Sequence, residues 1–369
     1  MMQPLEGVKV LDFSTLLPGP MCTLLLADAG ADVIKIERAQ GDEMRSYVPK
    51  FGTDSVNFAL LNRGKKSIVA DLKSPEVRAR IETLLREADV LVEQFRPGVM
   101  DRLGLGYGDV SKINPRIIYC SITGYGQVGP YAQIAAHDLN YQAQAGMLSL
   151  AADDAGKPVV PAVLTADLAG GAYPAVMNIL LALRQRDLSG TGCHLDVSMA
   201  DNLFTLMYWG LGNGWTSGQW PTPAGDLVTG GSPRYRIYET ADGQFLAAAP
   251  LEDKFWGNFL TLIGAQELLP DTDARAVRAK IAAIIRTKSA EAWLAIFEGH
   301  DTCVSKVISL QEATLDPHFR ARGVFERNLV APNGDSIAAL PTIVDRAFLA
   351  PSPKASSPEL GQHTQEILK

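Results

Sequence analysis

The sequence predicts an α/β protein of two domains: a large one on a mostly parallel Rossmann-like sheet and a small α+β one. Three observations carry this. The chain has 369 residues, more than a single hydrophobic core usually serves. Its first half alternates short apolar runs with helical periodicity, the pattern of parallel strands joined by crossover helices. Further on, Asp242-Gly243 between two apolar runs signals a hairpin, which opens a region of different pattern.

Taken in order, Val8 to Phe13 reads as a buried strand and Pro18-Gly19-Pro20 as a turn. Met21 to Ala29 follows as a helix ended by Gly30, and Val33 to Glu37 as the second strand. A Glu closing that strand invites a dinucleotide-binding reading. The first turn excludes it, because Leu16-Leu17-Pro18-Gly19-Pro20 lacks the G-x-G-x-x-G that lets a pyrophosphate approach the backbone. Ser67 to Ala70, Val90 to Gln94 and Arg116 to Ile122 read as further strands, with a helix over Ser74 to Ala88. Lys65 and Lys66 read as solvated charges.

The stretch from Cys120 to Gly171 carries the candidate chemistry. A strand runs into the glycine-rich turn Gly124-Tyr125-Gly126, and His137-Asp138 precedes one apolar helical pattern. Asp167 stands before a second, formed by Tyr173, Val176, Met177, Leu180, Leu181 and Leu183 and ending around Arg186 to Gly190. Asp167 is placed to cap that helix and to feel its positive end, so a plain N-cap is the alternative to a catalytic carboxylate. For His137 the alternative is a hydrogen-bonding residue of a polar turn. His194 to Ser198 reads as a strand and Asp201 to Leu211 as a helix.

Between Gly212 and Gly231 the composition turns to Gly, Trp, Thr, Ser and Pro, which predicts a linker. The organisation expected is a large domain over 1–211, a linker over 212–231, a small domain over 232–320, and a segment over 321–369 returning to the large domain. In the small domain the hairpin joins Tyr235 to Glu239 with Gln244 to Ala249. Helices fit Glu252 to Ile263, Ala274 to Arg286 and Ala290 to Glu298. From Pro351 the tail is rich in Pro and Ser and is expected to wrap back over the large domain or a partner.

Composition narrows the function classes. With 47% hydrophobic and 20% charged residues and a net charge of −7, the chain is of ordinary globular type, and no basic block marks a nucleic-acid or membrane surface. No apolar run reaches the ~20 residues of a membrane span. Cys22, Cys120, Cys193 and Cys303 are scattered, and no signal-like segment opens the chain, so reduced thiols and a cytoplasmic location are expected. His194, His300, His318 and His363 form no pair with metal-ligand spacing, so no metal is expected.

Several segments together resemble the class III CoA-transferase and α-methylacyl-CoA racemase family, in the expected order over nearly the whole chain. They are Leu5-Glu6-Gly7-Val8-Lys9-Val10-Leu11-Asp12, Gly30-Ala31-Asp32-Val33-Ile34-Lys35-Ile36-Glu37, Asp71-Leu72-Lys73-Ser74, Arg96-Pro97-Gly98, Gly124-Tyr125-Gly126 and Leu360-Gly361-Gln362-His363-Thr364. The resemblance implies that Asp167 is the carboxylate common to both branches. Transferases use it as a nucleophile that forms an acyl anhydride and then an aspartyl-CoA thioester; racemases use it as an acid/base. It implies a racemase, because His137 and Glu252 match the additional racemase groups, with the transferase as the alternative. It also implies an interlocked homodimer, and coenzyme A as part of the substrate with no prosthetic group.

For coenzyme A the family match points to Leu17 and Pro18, Arg38, Ala70-Asp71-Leu72-Lys73, Gln94-Phe95-Arg96 and Arg102. Ala136, Asp138, Leu139, Asn140 and Tyr141 are expected near the thioester. Arginine suits phosphate through its planar fork. Inverting a 2-methylacyl-CoA removes the α-proton from one face and returns one to the other through an enolate, which takes two bases on opposite faces. His137 and Asp167 supply them, Glu252 orients and stabilises the imidazolium, and backbone N–H groups at the start of the Asp167 helix are expected to meet the enolate oxygen. Two features separate the branches. Gly230-Gly231-Ser232-Pro233-Arg234 is only modestly glycine-rich, against a longer shielding loop in transferases, whereas Arg234 and Val163 depart from the racemase pattern.

Overall fold

The computed structural model describes residues 2–153, 155–350 and 354–369. The chain divides into two units, the first of Met1–Ala145, Val163–Leu206 and Pro317–Lys369, the second of Gly146–Ala162 and Met207–Asp316.

Six strands organise the first unit: β1 (Lys9–Asp12), β2 (Asp32–Glu37), β3 (Lys66–Val69), β4 (Val90–Glu93), β5 (Ile118–Thr123) and β6 (Cys193–Ser198). Their order is β3-β2-β1-β4-β5-β6, and every neighbouring pair is parallel, with Val10 opposite both Val33 and Val90. Helices on both faces bury the central strands throughout; all of β4 and β5 is buried, which is why they read as continuous apolar runs rather than alternating ones. The strand order reverses between β1 and β4, and crevices at such reversals, outside the carboxyl ends of the strands, are where open α/β sheets hold ligands.

The crossover helices follow local signals. α1 (Pro18–Asp28) begins at the residues expected to form a turn, because proline presets the helical φ and lacks the N–H that a first turn cannot use. The short α2 (Val56–Asn62) is capped by Ser55, whose side chain accepts from Phe58 N. α3 (Pro75–Glu87) is capped by Ser74 and buries Ile81 and Leu85 against Leu11, Ile36, Ile68 and Leu91. α4 (Tyr107–Ile113) and α5 (Asp138–Gln144) follow. A π-helical turn (Ala166–Ala172) then runs without a break into α6 (Tyr173–Ser189), which Gly190 ends at φ 79°. α7 (Met199–Leu206) packs on that turn, and a Cβ at Gly170 would collide with the Met199 carbonyl.

Two sequence expectations change here. The helical run Ala166–Ser189 is, by length and composition alone, apolar enough to cross a membrane, contrary to the reading that no such run exists; in this fold Ala175, Ile179, Ala182 and Leu183 are buried in the first unit. Lys65 is not solvated. Its ammonium donates to Asp12 Oδ2 (3.1 Å), Thr23 Oγ1 (2.7 Å), Asn62 Oδ1 (2.8 Å) and the Pro20 carbonyl (3.0 Å), and burial pushes its pKa down to about 8. Lys66 is half-buried and pairs with Asp32 at 2.8 Å.

The C-terminal segment returns to the first unit and covers the edge of β3. His363 N donates to the Ser67 carbonyl, Ser67 N to His363 Nδ1, and Val69 N to Thr364 Oγ1, which satisfies groups that an open edge would expose. The start of the expected wrap, Pro351, lies outside the described residues.

In the second unit β7 (Arg236–Glu239) and β8 (Phe245–Ala248) form the expected hairpin, with Gly243 at φ 70° in its turn, and β9 (Val304–Lys306) adds antiparallel to β8. α8 (Tyr208–Ser217) occupies the start of the expected linker. Within that stretch glycine and tryptophan serve packing: a Cβ at Gly214 would collide with the Trp220 ring. α9 (Asp253–Leu262), α10 (Ala274–Ile285) and α11 (Ala290–Phe297) enclose a core around Trp256, Phe259, Ile281 and Trp293.

Candidate active site

A cavity of about 560 Å³ opens where β1 to β4 end. Six residues expected at the coenzyme A site line it together: Arg38, Ala70, Asp71, Leu72, Lys73 and Phe95. Each follows the carboxyl end of a parallel strand, which is why positions far apart in sequence converge. Phe13, Ile36, Leu72 and Phe95 supply apolar wall, and Arg38 and Lys73 supply positive charge at its mouth. Arg38 is paired at the surface with Glu43 (3.0 Å). Arg96 is not among the lining residues. It borders a separate cavity of about 230 Å³ with Glu93, Ser121 and His194, where Ser121 Oγ lies 3.0 Å from His194 Nε2 and burial raises the Glu93 carboxyl to about 7. Leu17 and Pro18 start α1, and Arg102 closes the short helix Val99–Arg102.

The chemistry-bearing residues are assembled around Asp138. Its carboxylate is buried and takes three N–H donors: Oδ1 accepts from Ala166 N (2.6 Å) and Asp167 N (3.1 Å), and Oδ2 from Gln142 Nε2 (2.7 Å). Asp138 is the first residue of α5, directly after His137, so one side chain ties the chain that carries His137 to the turn that carries Asp167. His137 is exposed at the N-cap of α5, its N–H donating to Asn140 Oδ1 at 3.1 Å. Leu139 and Asn140 are exposed beside it. Tyr141 is buried, donates from its hydroxyl to the Ala136 carbonyl (2.7 Å), and packs edge-on against Tyr125. Gly124 is glycine because any Cβ there would strike the Tyr141 ring.

Asp167 is half-buried, and burial, then the neighbouring Asp138 charge, raises its carboxyl to about 7. Burial and then Asp167 itself push the Tyr141 phenol to about 12. Two expectations about Asp167 are corrected. It does not cap the helix: it sits inside the π-helical turn, and Thr165 holds the cap position without a side-chain bond. Nor are the first backbone N–H groups free for an enolate oxygen, since Ala166 N and Asp167 N go to Asp138 and Leu168 N goes to the Leu164 carbonyl. A carboxylic acid near neutrality on a fixed backbone is equipped for proton transfer in either direction.

Glu252 lies in the second unit as the exposed N-cap residue of α9, with no side-chain capping bond. Arg234, also in that unit, is already engaged: it donates to Asp253 Oδ1 (2.6 Å) and the Leu251 carbonyl (2.8 Å) and stands over the Trp256 ring. Among the described residues no three His, Cys, Asp or Glu side chains gather as a metal site. The role of Asp138 escaped the sequence reading, which placed it at the thioester. An acidic residue in the first turn of a helix is common, and nothing in a linear sequence joins it to a turn 28 residues later.

Comparison with known proteins follows the same lines. The chain is 34% identical to the alpha-methylacyl-CoA racemase of Mus musculus, over 99% of this chain and 92% of that protein. It is 35% identical to the succinyl-CoA:glutarate CoA-transferase of Mus musculus, over 100% of this chain and 86% of that one. The crystal structure of a CAIB/BAIF family protein from Brucella suis superposes with a TM-score of 0.84 at 30% identity, covering both chains fully. The family model of CoA-transferase family III matches residues 5–364, and the chain is a member of that family.

Proposed function

We propose that this enzyme racemises or epimerises 2-methylacyl-CoA thioesters by 1,1-proton transfer, with His137 and Asp167 as the two acid/base groups. The observation that carries the reading is the carboxyl of Asp167, raised to about 7, on a backbone whose N–H donates to Asp138, the residue next to His137. A nucleophile gains from a fully ionised carboxylate, whereas a group that must give and take a proton works best with a pKa near the working pH. In one direction Asp167 takes the α-proton and the imidazolium of His137 returns one to the opposite face; in the other the roles exchange. Between the steps the substrate is an enolate of the thioester, and each positioned transfer contributes ~10²–10⁴-fold. The cavity at the sheet's carboxyl edge, with Arg38 and Lys73 beside apolar Phe13 and Phe95, suits the nucleotide end of coenzyme A. The proposal includes a homodimer, which sedimentation equilibrium tests.

Proton NMR with 2-methylacyl-CoA in deuterated water and no added carboxylic acid is the test. The α-proton signal and the optical purity should disappear together, and His137→Ala should abolish the exchange; undiminished exchange in that variant refutes the two-base reading. A second reading is supported by the equal identity to a succinyl-CoA:glutarate transferase: transfer of coenzyme A between carboxylic acids through an acyl anhydride and then a thioester at Asp167. Trapping of a covalent adduct at Asp167 by hydroxylamine or borohydride, with no α-proton exchange, selects it.

A further inference from the structure

We propose that Gln94 is a positioning residue, not a contact to coenzyme A: with Lys35 and Asp42 it fixes the Ser14–Leu17 turn that walls the ligand cavity. This rests on the acyl-CoA reading of that cavity. The turn joins β1 to α1, and side chains from other strand ends hold its backbone. Gln94 Nε2 donates to the Thr15 carbonyl (2.6 Å), and Gln94 Oε1 accepts from Gly19 N (2.9 Å). Lys35 Nζ donates to the Ser14 carbonyl (2.7 Å), Asp42 Oδ1 accepts from Leu16 N (3.3 Å), and Asp12 Oδ1 accepts from Ser14 N (2.9 Å). Gln94 Nε2 thus bonds the turn, and Gln94 Oε1 bonds the first turn of α1 that follows it.

Three further observations require such a clamp. Leu16 sits at φ 60°, a conformation that non-glycine residues keep only when their surroundings impose it. Lys35 and Asp42 have fully buried side chains 3.0 Å apart, and a buried pair that is weak evidence for stability can still fix one conformation. Gly19 leaves no room for a side chain, since a Cβ would strike Ser14 and come within 2.6 Å of Gln94 Oε1. Thr15 and Asp42 line the 560 Å³ cavity, so what fixes the turn fixes the cavity wall.

The clamp also removes the usual phosphate site of this strand order. In the first turn of α1, Pro18 and Pro20 have no N–H, Gly19 N goes to Gln94, and Met21 N goes to the Leu17 carbonyl. An anion there would find no donor, in contrast to sheets that seat a pyrophosphate on the first helix.

The test is Gln94→Met, which keeps the length of a half-buried side chain, with two readouts on the full-length protein: calorimetric titration with free coenzyme A, and amide exchange of the ligand-free protein at Leu16, whose N–H bonds to Asp42 and not to Gln94. Faster exchange at Leu16 together with about tenfold weaker coenzyme A binding, without a matching loss of thermal stability, is expected. Weaker binding with unchanged exchange makes Gln94 a ligand contact and overturns the proposal; faster exchange with unchanged binding separates the turn from the ligand and overturns it too. Gly19→Ala perturbs the same turn while Gln94 remains, and its effect on binding should fail to add to that of Gln94→Met, whereas full additivity refutes a shared mechanism. If the wild type binds no coenzyme A, the acyl-CoA reading and the ligand half of this proposal fall, and exchange at Leu16 still decides whether Gln94 holds the turn.

Discussion

Asp138→Asn removes a charge while keeping most of a scaffold. The asparagine oxygen can still accept from Ala166 N and Asp167 N, as Asp138 Oδ1 does at 2.6 and 3.1 Å, and the Gln142 amide, now donating to Oδ2, can turn to present its own oxygen to the new NH₂ group. Hydrogen bonds to a charged group are worth ~1.5–3 kcal/mol and neutral ones ~1, so a loss of ~1–2 kcal/mol of stability is expected. The larger effect falls on Asp167. Of the two causes that raise its carboxyl from 3.8 to about 7, burial is the larger and the Asp138 charge the smaller, so Asp138 accounts for less than half of the rise. Removing Asp138's charge should therefore bring the Asp167 carboxyl down from about 7 by ~1 unit, leaving it above the ordinary aspartate range because burial, the larger cause, persists. The assay is the pH dependence of α-proton exchange in the direction that uses Asp167 as base. Its rising limb should move to lower pH by ~1 unit, with a reduced plateau because a weaker base abstracts more slowly. A limb that stays near 7 in a folded Asp138→Asn protein refutes the coupling, and one that moves up refutes its sign.

Other consequences follow from the same structure. Asp167 holds a proton up to about 7 in the fold but only to ~3.9 when unfolded, so its contribution to stability is complete below ~4 and is lost as pH rises through about 7; Asp167→Asn should gain up to ~3 kcal/mol over the wild type at pH 8 and nothing at pH 4 by denaturant titration, and equal gains at both pH values would contradict the raised pKa. Lys65→Met leaves Asp12 buried without its 3.1 Å partner and should cost ~3–5 kcal/mol in urea unfolding, where a loss under 1 kcal/mol would mean that water reaches the pair. Gly124→Ala drives a methyl into the Tyr141 ring and should cost ~1–3 kcal/mol, with slower proton exchange because Tyr141 lies three residues after Asp138 on the same helix; normal stability and rate would show that the ring yields freely.

The sheet was legible in the sequence because burial on both faces writes itself as unbroken apolar runs: Val90–Glu93 and Ile118–Thr123 fall at their expected positions. Ser74 and Gly190 marked helix ends through capping chemistry that is local by nature. Six residues that the family resemblance grouped together also line one cavity, since each follows a strand end and the parallel sheet brings strand ends together. Three features were hidden, each for its own physical reason. Pro18 and Pro20 look like turn residues but also suit a first helical turn, and only the register of α1 decides between the two. The Gly and Trp that follow residue 211 look like a linker because sequence does not reveal that Gly214 makes room for the Trp220 ring. Lys65 looks solvated because its acceptors come from β1, α1 and α2, and their convergence is tertiary.

The same distinction separates the two carboxylates of the candidate site. Asp167 was found as a residue type in a motif, but the motif does not say why its pKa should lie near neutrality. That depends on burial first, and then on a second acid held beside it against their mutual repulsion. Three N–H groups converge on the Asp138 carboxylate, and two of those belong to the turn of Asp167 itself. The bonds that fix the backbone of the Asp167 turn are thus the ones that hold the perturbing carboxylate in place, so one side chain sets both the geometry and the acidity of this site. Asp138→Ala frees Ala166 N and Asp167 N and removes the perturbing charge at once, whereas Asp138→Asn keeps an acceptor for both N–H groups and removes the charge alone.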